Sequence, residues 1–73
     1  MEVGEFKLKI VRTSAFTGVT REEEIDITPE QYALWESGVV IQNAAPHLSA
    51  EDREFIMTGV TQEEWVKVFG APM

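Results

Sequence analysis

Phe6, Leu8 and Ile10 alternate with Lys7, Lys9 and Val11. A period of two is that of a half-buried strand, one side chain in and the next out. Glu24-Ile25-Asp26-Ile27 repeats the pattern with its isoleucines facing in. Between the two runs, Thr13-Ser14-Ala15-Phe16-Thr17-Gly18-Val19 is mostly small and polar and contains a glycine, which fits a hairpin loop. If the strands pair antiparallel, Lys7 and Lys9 share the outer face with Glu22, Glu24 and Asp26. Opposite charges across such a pair contribute about 0.2–1 kcal/mol each.

The pattern then changes to helix starts. Thr28-Pro29-Glu30-Gln31 puts threonine at the N-cap, proline at the first helical position and glutamine at the third, a capping box. Ile27 before the cap and Tyr32 after it form a hydrophobic staple, and Ser37-Gly38 closes the helix. Ser49-Ala50-Glu51-Asp52 is a weaker cap, opening a short helix through Phe55, Ile56 and Met57 that Gly59 ends. Thr61-Gln62-Glu63-Glu64 is a full capping box with a Val60–Trp65 staple. Trp65, Val68 and Phe69 follow on one face, and Gly70 stops the helix. The five aromatics Tyr32, Trp35, Phe55, Trp65 and Phe69 are expected in the core, with the two tryptophans as its main pieces.

Val39-Val40-Ile41-Gln42-Asn43-Ala44-Ala45 admits two readings. Its β-branched start fits a third strand. Its end, before Pro46, fits a short buried helix, which is favoured because Ile41 and Ala45 then point one way and Leu48 closes over them.

Two heptads are nearly identical, TGVTREE from Thr17 and TGVTQEE from Thr58, 41 residues apart. Nothing around them is similar, so they do not form a repeat array. The first copy runs into the alternating Glu24-Ile25-Asp26-Ile27 and is expected as strand. The second is a helix-to-helix junction.

The expected fold is α+β: a single small domain over residues 1–73, with an N-terminal antiparallel hairpin at about 5–27 packed on three to four short helices at about 29–70. A two-stranded sheet is marginal alone and needs the helices on its apolar face. It leaves strand edges open for dimerisation or for adding a partner's strand, and a homodimer is one expectation.

Composition narrows the function. The 73 residues contain no cysteine, which removes disulfide and thiol chemistry. No apolar run reaches the roughly 20 residues of a membrane span. No secretory leader is visible at the N-terminus. Thirteen acidic against six basic residues give a net charge of −7. The first 21 residues carry four bases and two acids, whereas residues 22–73 carry eleven acids and two bases, a net −9. Such a body repels a phosphate backbone. Solubility of a small protein is one full account of its charge, and attraction to a basic partner surface is the sharper one.

Reactive chemistry is sparse. His47 is the sole histidine, placed between Pro46 and Leu48 with no G-x-S-x-G turn in the chain, and is read as a surface or capping residue. Glu22-Glu23-Glu24 alternate sides in a strand and cannot converge on one ion. Glu51, Asp52 and Glu54 lack calcium-loop spacing. No metal, cofactor or catalytic residue is expected, and the protein is read as not an enzyme. Residues 50–69 have the outline of a helix-turn-helix. However, Gln62-Glu63-Glu64 in the first turn of the second helix would face phosphates, which disfavours DNA binding.

Ile41-Gln42-Asn43-Ala44-x-Pro46-x-Leu48, then Arg53-Glu54-Phe55-Ile56-Met57-Thr58-Gly59, then Glu63-Glu64-Trp65, resembles a group of small uncharacterised proteins encoded by bacteriophages and prophages. Lys9-Ile10-Val11-Arg12-Thr13-Ser14-x-Phe16-Thr17-Gly18 is similar too, so the likeness covers about residues 7–70. It implies a phage origin and the cytoplasm of a host bacterial cell, and it brings no activity with it. The resulting expectation is an accessory protein that binds a host protein and modulates or inhibits it through an acidic surface, as anti-defence proteins and DNA mimics do. Its expected contact residues are Phe16, Glu22, Glu24, Asp26, Glu51, Glu54, Glu63 and Glu64. The alternatives are a virion or assembly component, and a small nucleic-acid binder using Lys7, Lys9, Arg12 and Arg21 on the hairpin.

Overall fold

The computed structural model describes residues 7–73. Residues 5 and 6, at the start of the expected hairpin, lie outside that range. The order of elements is β1 (Leu8–Thr13), β2 (Thr20–Ile25), α1 (Pro29–Glu36), α2 (Ile41–Ala44), α3 (Ala50–Thr58) and α4 (Gln62–Phe69). An antiparallel hairpin followed by four helices makes the fold α+β.

Alternation sets the hairpin register. Leu8 pairs with Ile25, Lys9 with Glu24, Val11 with Glu22 and Thr13 with Thr20. Lys9, Val11, Thr20, Glu22 and Glu24 are all exposed on the outer face, while Ile10 and Ile25 are buried on the inner one. The strand ends at Ile25, earlier than the alternation suggests. Ile27 lies beyond a bend closed by its own amide donating to the Ile25 carbonyl, yet it is still fully buried. The two threonines at the loop end share a hydroxyl–hydroxyl bond of 2.8 Å.

The caps sit where the sequence places them. Thr28 accepts from the Gln31 amide at 3.1 Å and the Gln31 side chain accepts from the Thr28 amide at 3.1 Å. Thr61 and Glu64 make the same reciprocal pair. Ser49 accepts from Asp52 at 3.2 Å without a return bond, because aspartate is a methylene shorter than glutamate. The ambiguous segment is helical over Ile41–Ala44, with Val40 exposed ahead of it. Ile41, Ala45 and Leu48 are buried together, which is the packing that favours helix over strand there.

The core joins Ile10 and Ile25 of the hairpin to Ile27, Ile41, Leu48, and Phe55 and Ile56 of α3. The expectation that tryptophans dominate it is corrected. Trp35 and Tyr32 are only partly buried at its margin, and Trp65 lies outside it. Helices of eight or nine residues over a two-stranded sheet enclose a thin core. Aliphatic side chains and one phenylalanine fill it, leaving no depth for an indole.

The C-terminal end of α3 ties helix to sheet. The Arg12 guanidinium donates to the Met57 carbonyl at 3.1 Å and the Ala15 amide to the Thr58 carbonyl at 3.0 Å. Arg12 thus places a cation at a helix C-terminus that has no basic residue of its own. His47 ties the chain together in a comparable way. Its Nε2–H donates to the Asp26 carbonyl at 2.6 Å and pins the turn after β2 to the loop before α3.

Candidate interaction surface

The hairpin loop and α4 meet at one carboxylate. Glu64, the third residue of α4, caps its own helix and also accepts from the Thr17 hydroxyl at 2.6 Å and from the Arg21 guanidinium at 2.6 Å. Its side chain is 5% exposed. Ser14, buried nearby, accepts from the Phe16 and Thr17 amides, so its hydroxyl proton is left to donate to Glu64. These bonds, the Thr17 one foremost, hold the Glu64 carboxyl down to about 2 from an ordinary 4.5, against the opposing pull of burial. The two similar heptads therefore touch. Thr17 and Arg21 come from the first and Glu64 from the second.

This node corrects the expected surface. Glu64 is turned inward and is not available to a partner. The expected basic patch is also reduced, since Arg21 is bonded to Glu64 and Arg12 to α3. The inner-face position of Arg21 follows from alternation with Ile25. A cation on the apolar side of a strand needs a carboxylate beneath it, and that need signals a buried acid without singling out which of the thirteen it is.

The other acidic residues fall into separate places. Glu22 and Glu24 lie exposed on the outer face of β2, beside Val11 and Lys9. Asp26 is exposed just past the strand end. Glu51 and Asp52 open α3 close enough to Glu23 on the inner face to act on it: burial raises the Glu23 carboxyl above 4.5, and Asp52 and then Glu51 add to the rise while Arg21 opposes it. Charged Glu23 is thus a cost to the fold. Glu23→Gln is expected to raise stability at neutral pH, with the gain vanishing in acid where Glu23 is protonated anyway. Urea denaturation at two pH values checks this, and a loss at neutral pH would contradict it.

Glu54 is bonded to Thr58 and lines a shallow depression of about 260 Å³ with Ile41, Gln42, Ala50, Arg53 and Met57. Glu63 is exposed at the start of α4. No group of three or more acidic or histidine side chains among the described residues is disposed to hold a metal ion.

Phe16 joins Trp65 and Phe69 in an aromatic cluster, its ring centroid 6.3 Å from Trp65 and 5.7 Å from Phe69. It folds back onto α4, away from the main core. The cluster stays open to solvent, with Phe16 41% and Phe69 57% exposed. Polar Glu64 is the only buried residue of α4, so this helix is fastened to the hairpin mainly by the carboxylate and the three rings.

No helix among the described residues is long and apolar enough to cross a membrane. Comparison with protein-family models, with curated proteins and with solved structures gives no match.

Proposed function

We propose that the protein is a non-enzymatic accessory protein of phage origin that binds a protein in the host bacterial cytoplasm through an acidic surface, and modulates or inhibits it. The observation that carries this reading is the division of charge across the hairpin. Glu22 and Glu24 project from the outer face with Asp26 beyond them, while Arg12 and Arg21 are held inward by the Met57 carbonyl and Glu64. The two hairpin arginines are thereby withdrawn from that surface, where Lys9 beside Glu24 is the base that stays. Carboxylates at alternate positions, with Glu22 facing Val11 and no base across from it, suit a basic protein surface of the kind that binds nucleic acid, as expected of a DNA mimic. The same withdrawal weakens the nucleic-acid-binding alternative, which is left with Lys7 and Lys9 of its four bases.

The test is affinity capture from host lysate at two salt concentrations, with the wild type and with E22K/E24K. Glu63→Lys serves as a second, separate position, in preference to any change at Glu64, which would disturb the fold. Reversing two exposed charges is expected to weaken capture by about tenfold or more, and high salt to weaken wild-type capture in parallel. Capture indifferent to both would remove the acidic surface from the account. Recovery only within purified particles would favour the virion reading.

A further inference from the structure

The Ser14 amide donates to the Val19 carbonyl at 2.8 Å, which fixes the phase of the hairpin ladder. Bonds between antiparallel strands alternate, so Arg12/Arg21, Ile10/Glu23 and Leu8/Ile25 are the pairs that exchange them. The residues between, Thr20, Glu22 and Glu24 on β2, then aim their N–H and C=O groups away from β1, along the open edge. Among the described residues no hydrogen bond reaches the amides of these three. The other edge is different: the Thr13 carbonyl on β1 lies against Gly59, and α3 closes that end.

We infer that the open edge of β2 is a docking edge for an extended segment of the partner with Lys or Arg at alternate positions. The free amides and the carboxylates belong to the same residues. A strand pairing with Glu22 and Glu24 must set its own side chains beside theirs on the outer face, about 5.5 Å away between Cα atoms. Alternate basic residues therefore satisfy the charge in the register that satisfies the backbone. A second copy does not fit. Two β2 edges brought together would oppose glutamate to glutamate, and the β1 edge of another copy is blocked at its Thr13 end.

This inference rests on the acidic-surface reading and adds a backbone requirement to it. The probe is a short synthetic peptide with blocked ends, lysine at alternate positions and threonine between, titrated into the isotopically labelled full chain. A control peptide is N-methylated at the lysines, which keeps the charge and removes the donors. The ordinary peptide is expected to shift the Glu22 and Glu24 amides, to slow their hydrogen exchange by about tenfold or more, and to bind at least about tenfold more tightly than the control. Equal binding of both peptides would overturn the docking edge and leave the charged surface standing. Failure of both to bind would overturn the two together. Concentration-dependent protection of the same amides without peptide would overturn it in favour of a second copy.

Discussion

Gly59→Ala is expected to cost about 3 kcal/mol or more, a large part of the roughly 4–11 kcal/mol available to a domain this size. Two separate effects add. Gly59 has φ +77°, a left-handed backbone that an L-residue adopts at about 1–2 kcal/mol. A Cβ there would also sit 2.5 Å from the Thr13 carbonyl oxygen and 2.7 Å from its carbon. Those are backbone atoms at the end of β1, and they cannot swing aside as a side-chain tip would. Relieving the overlap means lifting α3 off the hairpin, which strains the Arg12–Met57 and Ala15–Thr58 bonds beside it.

Gly70 supplies the control. It ends α4 at φ +76° with nothing within 4 Å of its would-be Cβ, so Gly70→Ala carries the backbone effect alone, about 1–2 kcal/mol. Urea denaturation of the two variants separates the effects. Equal losses would mean that Gly59 is needed only for its φ and that the close approach of α3 to β1 is unimportant.

The features legible in the sequence are local. Three N-caps, two glycine stops and the hairpin alternation each lie within about one helical turn or a few strand positions, where chemistry and spacing coincide. Segment 39–45 can be argued only through its neighbours, since Ile41 and Ala45 need Leu48 to choose between periods. What local pattern cannot supply is a partner 40 or more residues away. Thr61-x-x-Glu64 reads as a capping box and is one, yet Glu64 also binds Thr17 and Arg21, 47 and 43 residues distant. Its removal from the surface acids is hidden in the sequence because the box accounts for one carboxylate oxygen and leaves the other unassigned. The tryptophans mislead for a different reason. Size makes them good core residues only where layers are deep enough, and sequence gives the number of helices more readily than the depth between them. Of the eight expected contact residues, Glu22 and Glu24 share an exposed face, while the others are dispersed over α3, α4, the loop and the turn after β2.

Glu64→Gln isolates the long-range half of that dual role. Gln31 closes the capping box of α1 from the third position, so glutamine at 64 keeps the cap on α4 while removing the charge and the second acceptor oxygen. Arg21, two-thirds covered in its side chain, then loses the carboxylate bonded to it, and the hairpin loop loses the acceptor around which Ser14 and Thr17 are arranged. A large fall in stability at neutral pH is expected, with α4 loosened from the hairpin and the Phe16–Trp65 contact opened.

The pH dependence gives the sign. Glu64 releases its proton at about 2 in the fold and at an ordinary 4.5 when unfolded, so its contribution is complete above about pH 4.5 and is lost as pH falls toward 2. Glu23 acts in the opposite sense. Its raised value means that protonation on the way down favours the fold. The wild type should therefore show a steep acid limb between pH 4.5 and 2, and Glu64→Gln a shallower one. The difference in unfolding free energy between them should be greatest near neutrality and shrink in that window. Arg21→Gln should reproduce much of the loss, and the double variant should lose little beyond either single one, because each removes the same pair. A difference between wild type and Glu64→Gln that stays constant from neutral pH down to about 2 would show that the lost hydrogen bonds matter and the charge does not. The carboxylate would then be a positional device at the loop–helix junction, and no longer the ion that keeps Arg21 inside.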